Sequence, residues 1–154
     1  MNEFFTKMYN TAFRLTGDEV KAEEMAFIAI NCVLTKEDMP DIVSDSILRD
    51  TAEEICRLFL SEVEDNISSV KRFERNNSKE ELLQTALMSL EPYGRMIIVW
   101  RDILGFNIDD MSRIRCNKQK IYYELNSARR HMKEILCDNA LLSRSLYEEV
   151  KGEK

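Results

Sequence analysis

Large apolar residues recur along this chain at three- and four-residue intervals, and only four glycines and two prolines interrupt them in 154 residues. That spacing lines one face of a helix. A β-sandwich or barrel needs turn residues about every ten positions, so the pattern predicts an all-α fold. Hydrophobic residues make up 44% and charged residues 32% of the chain. This is enough apolar material for a core and sets the chain apart from disordered and low-complexity sequences.

The first periodic segment carries Phe4, Phe5, Met8, Tyr9, Ala12 and Phe13, and Gly17 stops it. Asp18 can cap a second helix reaching to about Leu34, with a broad apolar surface from Val20 to Val33. Thr35 to Asp41, with Pro40, reads as a loop. A third helix is expected from about Ile42 to Asp65, burying Ile47, Leu48, Ala52, Ile55, Phe59 and Leu60. The polar stretch from Asn66 to Ser78 then separates two small helical domains, over residues 1–70 and 79–154, with a linker at 71–78. Ser78 and Glu81 form a capping box for the next helix. Glu91 to Gly94 breaks it, and another helix is predicted from about Arg95 to Leu104, ending at Gly105. Asp109 can cap a short helix from Asp110 to Ile114. After a tight turn near Cys116 and Asn117, a long helix is expected from Lys118 to about Cys137, followed by a further short helix or a frayed tail.

Cys32, Cys56, Cys116 and Cys137 are spread too far apart for a metal or redox pair, and His131 is the single histidine. No metal or other cofactor is expected, and the cysteines read as reduced thiols in a helical core. No set of nucleophile, base and orienting group is visible, so an enzyme is the poorest reading. The start of the chain lacks the pattern of a signal peptide. The longest apolar runs, Met25 to Ile30 and Met96 to Trp100, are too short to span a membrane. A soluble, cytoplasmic protein with no membrane partner is expected.

Charge is divided unevenly. The chain carries nine basic and sixteen acidic residues up to Asn77, and thirteen basic and twelve acidic from Ser78 onward. Within the second half, Arg113, Arg115, Lys118, Lys120, Arg129, Arg130 and Lys133 stand against Glu124 alone. Pairing four residues apart along one helix does not account for such a stripe, and it is suited to nucleic-acid phosphates. A short helix, a tight turn and a long basic helix form the pattern of a helix-turn-helix. Lys118, Gln119, Lys120, Tyr122 and Tyr123 lie near the end that would enter a major groove, and Arg129 and Arg130 would touch phosphate or pack back on the domain. Tyr122 and Tyr123 are equally compatible with half-burial beside Ile121 and Leu125. Trp100, inside an apolar run, reads as core.

The segment Leu90-Glu91-Pro92-Tyr93-Gly94-Arg95, continuing through Trp100-Arg101-Asp102-Ile103-Leu104-Gly105 and Asp109-Asp110-Met111 to Ser127-Ala128-Arg129-Arg130, resembles the promoter-reading domain (region 4) of small bacterial RNA polymerase sigma factors of the extracytoplasmic-function type. Tyr9 to Asp18 is similar to the opening of that family's region 2. Ala22-Glu23-Glu24-Met25 resembles the word on the helix that grips the polymerase clamp. The resemblance implies a non-enzymatic initiation protein with core RNA polymerase and promoter DNA as partners, and an anti-sigma protein as a further one. It implies polymerase contact at Glu23, Glu24 and Met25. DNA contact would fall at Arg113, Arg115, Lys118, Gln119, Lys120, Tyr122, Tyr123, Arg129 and Arg130.

The chain departs from that pattern in places. Phe27 and Ile28 stand where the family has Gln and Glu. The stretch from Asp41 to Asp65 is strongly acidic where the family collects promoter DNA, a balance that repels phosphate. The turn of the helix-turn-helix is one residue short. Two alternatives therefore stand beside the first reading. One is a sigma-like adaptor working through protein partners at the acidic half. The other is an ordinary helix-turn-helix regulator whose first half dimerises or senses.

Overall fold

The computed structural model describes residues 2–34, 42–65, 78–111, 114 and 117–152, with backbone alone at Asn2, Asp65 and 139–152. The expected loop at Thr35 to Asp41 and the linker at 71–77 lie outside the described residues, as do Arg113, Arg115 and Cys116. The fold is all-α: α1 (Asn2–Thr16), α2 (Glu19–Val33), α3 (Asp45–Asp65), α4 (Lys79–Met88), α5 (Pro92–Ile98) and α6 (Lys118–Gly152). No strand occurs among the described residues, and no helix there is long and apolar enough to cross a membrane.

The helix ends obey local chemistry. Gly17 takes φ 64°, where a Cβ would be strained, and its N–H bonds to the Phe13 carbonyl at 2.8 Å. The Asp18 carboxylate then accepts from the backbone of Val20 and Lys21, so it caps α2 as its sequence position predicts. Ser44 supplies the cap of α3, its hydroxyl accepting from Ile47 N–H at 3.3 Å. That helix therefore begins three residues later than its apolar pattern suggests. Ser78 accepts from Glu81 N–H at 3.2 Å and starts α4.

Pro92 is not only a breaker. It opens α5 from the first helical position, where a missing N–H costs nothing. The helix passes into a π-helical turn, Val99–Ile103, and the chain reverses at Gly105 with φ 75°. Asn107 rather than Asp109 is the next cap, and it opens a single 3-10 turn, Ile108–Asp110. Met111 is already extended and Ile114 lies in a bend. The described part of the expected helix from Asp110 to Ile114 is thus not α-helical. Asn107 binds the backbone first, its side-chain oxygen accepting from Asp109 N–H. Asn117 caps α6 in the same way, through Gln119 N–H at 3.0 Å. From there α6 runs unbroken to Gly152, well past the end expected near Cys137.

α1, α2 and α3 pack on one another, α5 packs on α6, and α1 and α3 also touch α5. The buried set is continuous, from Met8, Leu15, Ala29, Ile55 and Cys56 in the first half to Leu87, Met96, Ile97, Val99 and Trp100 in the second. Trp100 is fully buried, as its apolar run predicts. Its indole N–H donates to the Asn107 carbonyl at 2.8 Å, and its ring lies against Phe106. α5 and α6 approach closely at Gly94, where a Cβ would stand 3.4 Å from that of Ala128.

Charged side chains also lie in the interior. Glu53 and Glu54 of acidic α3 are buried, and Glu54 accepts from Arg57 Nε at 2.9 Å. Arg95 is buried as well. Its guanidinium donates to the Leu87 carbonyl at 2.9 Å, to Leu90 at 3.1 Å and to Leu15 at 2.6 Å. It also lies over the Phe59 ring.

Candidate nucleic-acid interface

α6 owes its position to one stripe. Ile121, Leu125, Ala128 and Met132 are buried at spacings of four, three and four, and they press against α4 and α5. Every other side chain from Asn117 to Asp138 except Glu124 and Ile135, which are half-buried, faces solvent. With about 3.6 residues per turn, the exposed positions from Lys118 to Lys133 fall into three lines. Gln119, Tyr123, Asn126 and Arg130 stand opposite the core stripe. Lys118, Tyr122, Arg129 and Lys133 form one flank. Lys120, Ser127 and His131 form the other.

Tertiary contacts occupy some of the basic residues. Lys118 Nζ lies 2.8 Å from an Asp109 oxygen, and that hydrogen bond with its charge holds the ammonium above its usual pKa. The Arg129 guanidinium forks onto Asp102, with Nε 2.8 Å from Oδ2 and Nη2 2.5 Å from Oδ1. The hydrogen bond to Asp102 likewise raises its pKa. A bidentate fork fixes orientation as well as charge, so Arg129 packs back on the domain at the π-helical turn. Lys120 projects over the Tyr93 ring at 5.7 Å. Arg130 and Lys133 are exposed and have no ion pair among the described residues. Tyr123 is 71% exposed, so half-burial beside Ile121 does not describe it, whereas Tyr122, at 48%, stays close to that expectation.

Of the residues expected to touch DNA, Lys118, Gln119, Lys120, Tyr122, Tyr123, Arg129 and Arg130 are thus gathered on one helix. Arg113 and Arg115 lie outside the described residues. Asp110, next to the Lys118 partner, lies 4.0 Å from Arg49 of α3, which links the approach to α6 with the first half. Asn126, which does not stand out in the sequence, is exposed two turns from Gln119 along the same line.

The residues expected at a polymerase interface separate by burial. Glu23 and Glu24 are exposed on α2, while Met25 is buried in the core at 5% exposure. Glu24 and Met25 line a shallow groove of about 290 Å³ with Ile28, Leu58 and Glu62. Glu23 borders a second groove of about 330 Å³ between α1 and α2, lined by Phe5, Tyr9, Phe27 and Ile30. Phe27 is 66% and Val20 74% exposed, so the outer face of α2 is apolar between acids. Burial and the charges of Glu19 and Glu23 push the Tyr9 hydroxyl pKa up.

No known family model matches the chain, and no curated protein or solved structure matches it.

Proposed function

We propose that this chain is a divergent sigma-type initiation protein, non-enzymatic and acting in the cytoplasm, which binds core RNA polymerase and directs it to promoters through α6. The observation that carries the reading is the build of α6. An Asn cap starts it, an apolar stripe seats it on α4 and α5, and a cationic, amide- and tyrosine-bearing face is left open. An α-helix of that kind fits the width of a DNA major groove. The proposed division of labour has the polymerase supply catalysis, α2 supply a polymerase contact at Glu23 and Glu24, and α6 supply promoter preference. Met25 would support that contact from beneath rather than form it.

A second reading, a sigma-like adaptor acting through protein partners, is favoured by the apolar outer face of α2 and by the acidic first half, which repels phosphate. An anti-sigma protein would be a partner under either reading. Run-off transcription with purified core polymerase over genomic promoters separates the two. Promoter-dependent transcripts that weaken in the double variant Glu23→Lys, Glu24→Lys support the initiation reading. Polymerase binding without any transcript supports the adaptor. Absence of both polymerase binding and transcript overturns the proposal.

A further inference from the structure

Lys118 and Lys120 sit at the helix start, where the sequence pattern puts the base contacts, but the fold turns both aside. Lys118 faces the flank where Asp109 meets it, and Lys120 faces the other flank, over Tyr93. The line farthest from the core stripe is Gln119, Tyr123, Asn126 and Arg130, all exposed. A helix lying in a groove presents that outermost line to the base edges and its flanks to the two phosphate walls.

The chemistry along the line differs from that of the flanks. Gln119 and Asn126 carry amides, each a donor beside an acceptor, the pairing that fits the N6 and N7 edge of adenine. Tyr123 offers a ring face to a thymine methyl. Gln119 and Asn126 are seven residues apart, about 10 Å along the helix axis. A helix inclined along the major groove covers about two to three base-pair steps over that length. The flanking Lys120 and Lys133 are complementary to phosphate, Arg130 carries the outer line on toward the phosphates at its far end, and Glu124 with the exposed Glu134 opposes them.

We infer that Asn126 is a specificity-determining residue of this helix, reading an adenine in duplex DNA about two to three base pairs from a second adenine read by Gln119, while Lys118, Lys120 and Arg129 carry no sequence preference. The inference rests on the initiation reading and reassigns its base contacts from the helix start to the outer line.

The test is selection from a randomised duplex DNA library at low salt by the full chain, alone and with core polymerase, followed by binding measurements on Asn126→Ala and Lys120→Ala. Both positions are solvent-exposed, so the variants keep the fold, which circular dichroism checks. The expected result is an enriched sequence with two adenines at that separation. Asn126→Ala should lose roughly 10- to 100-fold on that sequence and cease to discriminate at one of the two adenines. Lys120→Ala should weaken all sequences alike. Selective binding whose preferences survive Asn126→Ala overturns this inference and leaves the initiation reading standing. Absence of DNA binding in both preparations overturns both.

Discussion

Arg95 Nη1 donates to the carbonyl of Leu15 at 2.6 Å, across eighty positions of sequence. One guanidinium thereby completes the C-terminal end of α1 while it also bonds the carbonyls of Leu87 and Leu90 near the end of α4. A cation at helix C-termini complements their dipoles and satisfies carbonyls that have no partner within the helix. Burial lowers the Arg95 pKa, opposed by the charge of Glu91. Arg95→Met should destabilise the chain by about 2–4 kcal/mol, because it leaves buried carbonyls unpaired. Arg95→Lys should cost nearly as much, since one ammonium cannot reproduce the fork. Urea titration measures both, and a change under about 1 kcal/mol in Arg95→Met would show that the contact joins the halves only loosely.

Because that contact and a continuous core join the halves, they should unfold together. Trp100 reports the second half and the buried Cys56 thiol the first. Tryptophan emission and Cys56 alkylation should trace one urea transition. Two separated midpoints would mean that the halves are independent. Trp100→Phe, which removes the donor to the Asn107 carbonyl, should lower stability by about 1–3 kcal/mol.

Alkaline pH should act through Cys56. Burial, with the charge of Glu53, pushes its thiol pKa up from 9.0 to about 12. Between those values the unfolded chain releases a proton that the folded chain keeps. The stabilisation is complete below pH 9 and is lost toward pH 12, at a slope approaching about 1.4 kcal/mol per pH unit. Cys56→Ala should flatten that limb of the stability curve relative to its own neutral value. Near neutral pH the exposed Cys32 and Cys137 should react with a thiol reagent in the native protein while Cys56 does not.

Lys118 and Arg129 of α6, each paired with an acid, should respond differently from Arg130. Asp109→Asn releases Lys118, and DNA binding should strengthen a few-fold with a salt slope steeper by about one ion. Arg129→Gln should instead lower stability by about 1 kcal/mol, discounted for the partial exposure of the pair. Arg130→Gln should leave stability unchanged and weaken DNA binding uniformly. Equal effects of Arg129→Gln and Arg130→Gln on DNA binding, with no stability difference, would remove the structural role of Asp102.

The sequence alone determined which segments become helices and where most of them start. Periodicity and caps are local: Asp18, Ser78 and Gly17 act on backbone groups within a few residues, so their effect does not depend on the rest of the fold. The same locality made Trp100 legible as core and α6 legible as a basic helix. The sequence pattern points to Asp109 as a cap, but Asn107 takes that place, and the described part of the helix expected from Asp110 is a 3-10 turn followed by extended backbone. What only tertiary structure decided are relationships between distant residues. Burial of Glu53, Glu54 and Arg95 depends on how α3 and α5 pack against the other helices. The basic stripe reads as unpaired when acids are sought four residues away on the same helix, whereas Asp102 and Asp109 arrive from the preceding turn and loop. Side-chain charge is written in sequence, but its neutralisation depends on distance in space, and that distance is set by the seating of α6 on α4 and α5.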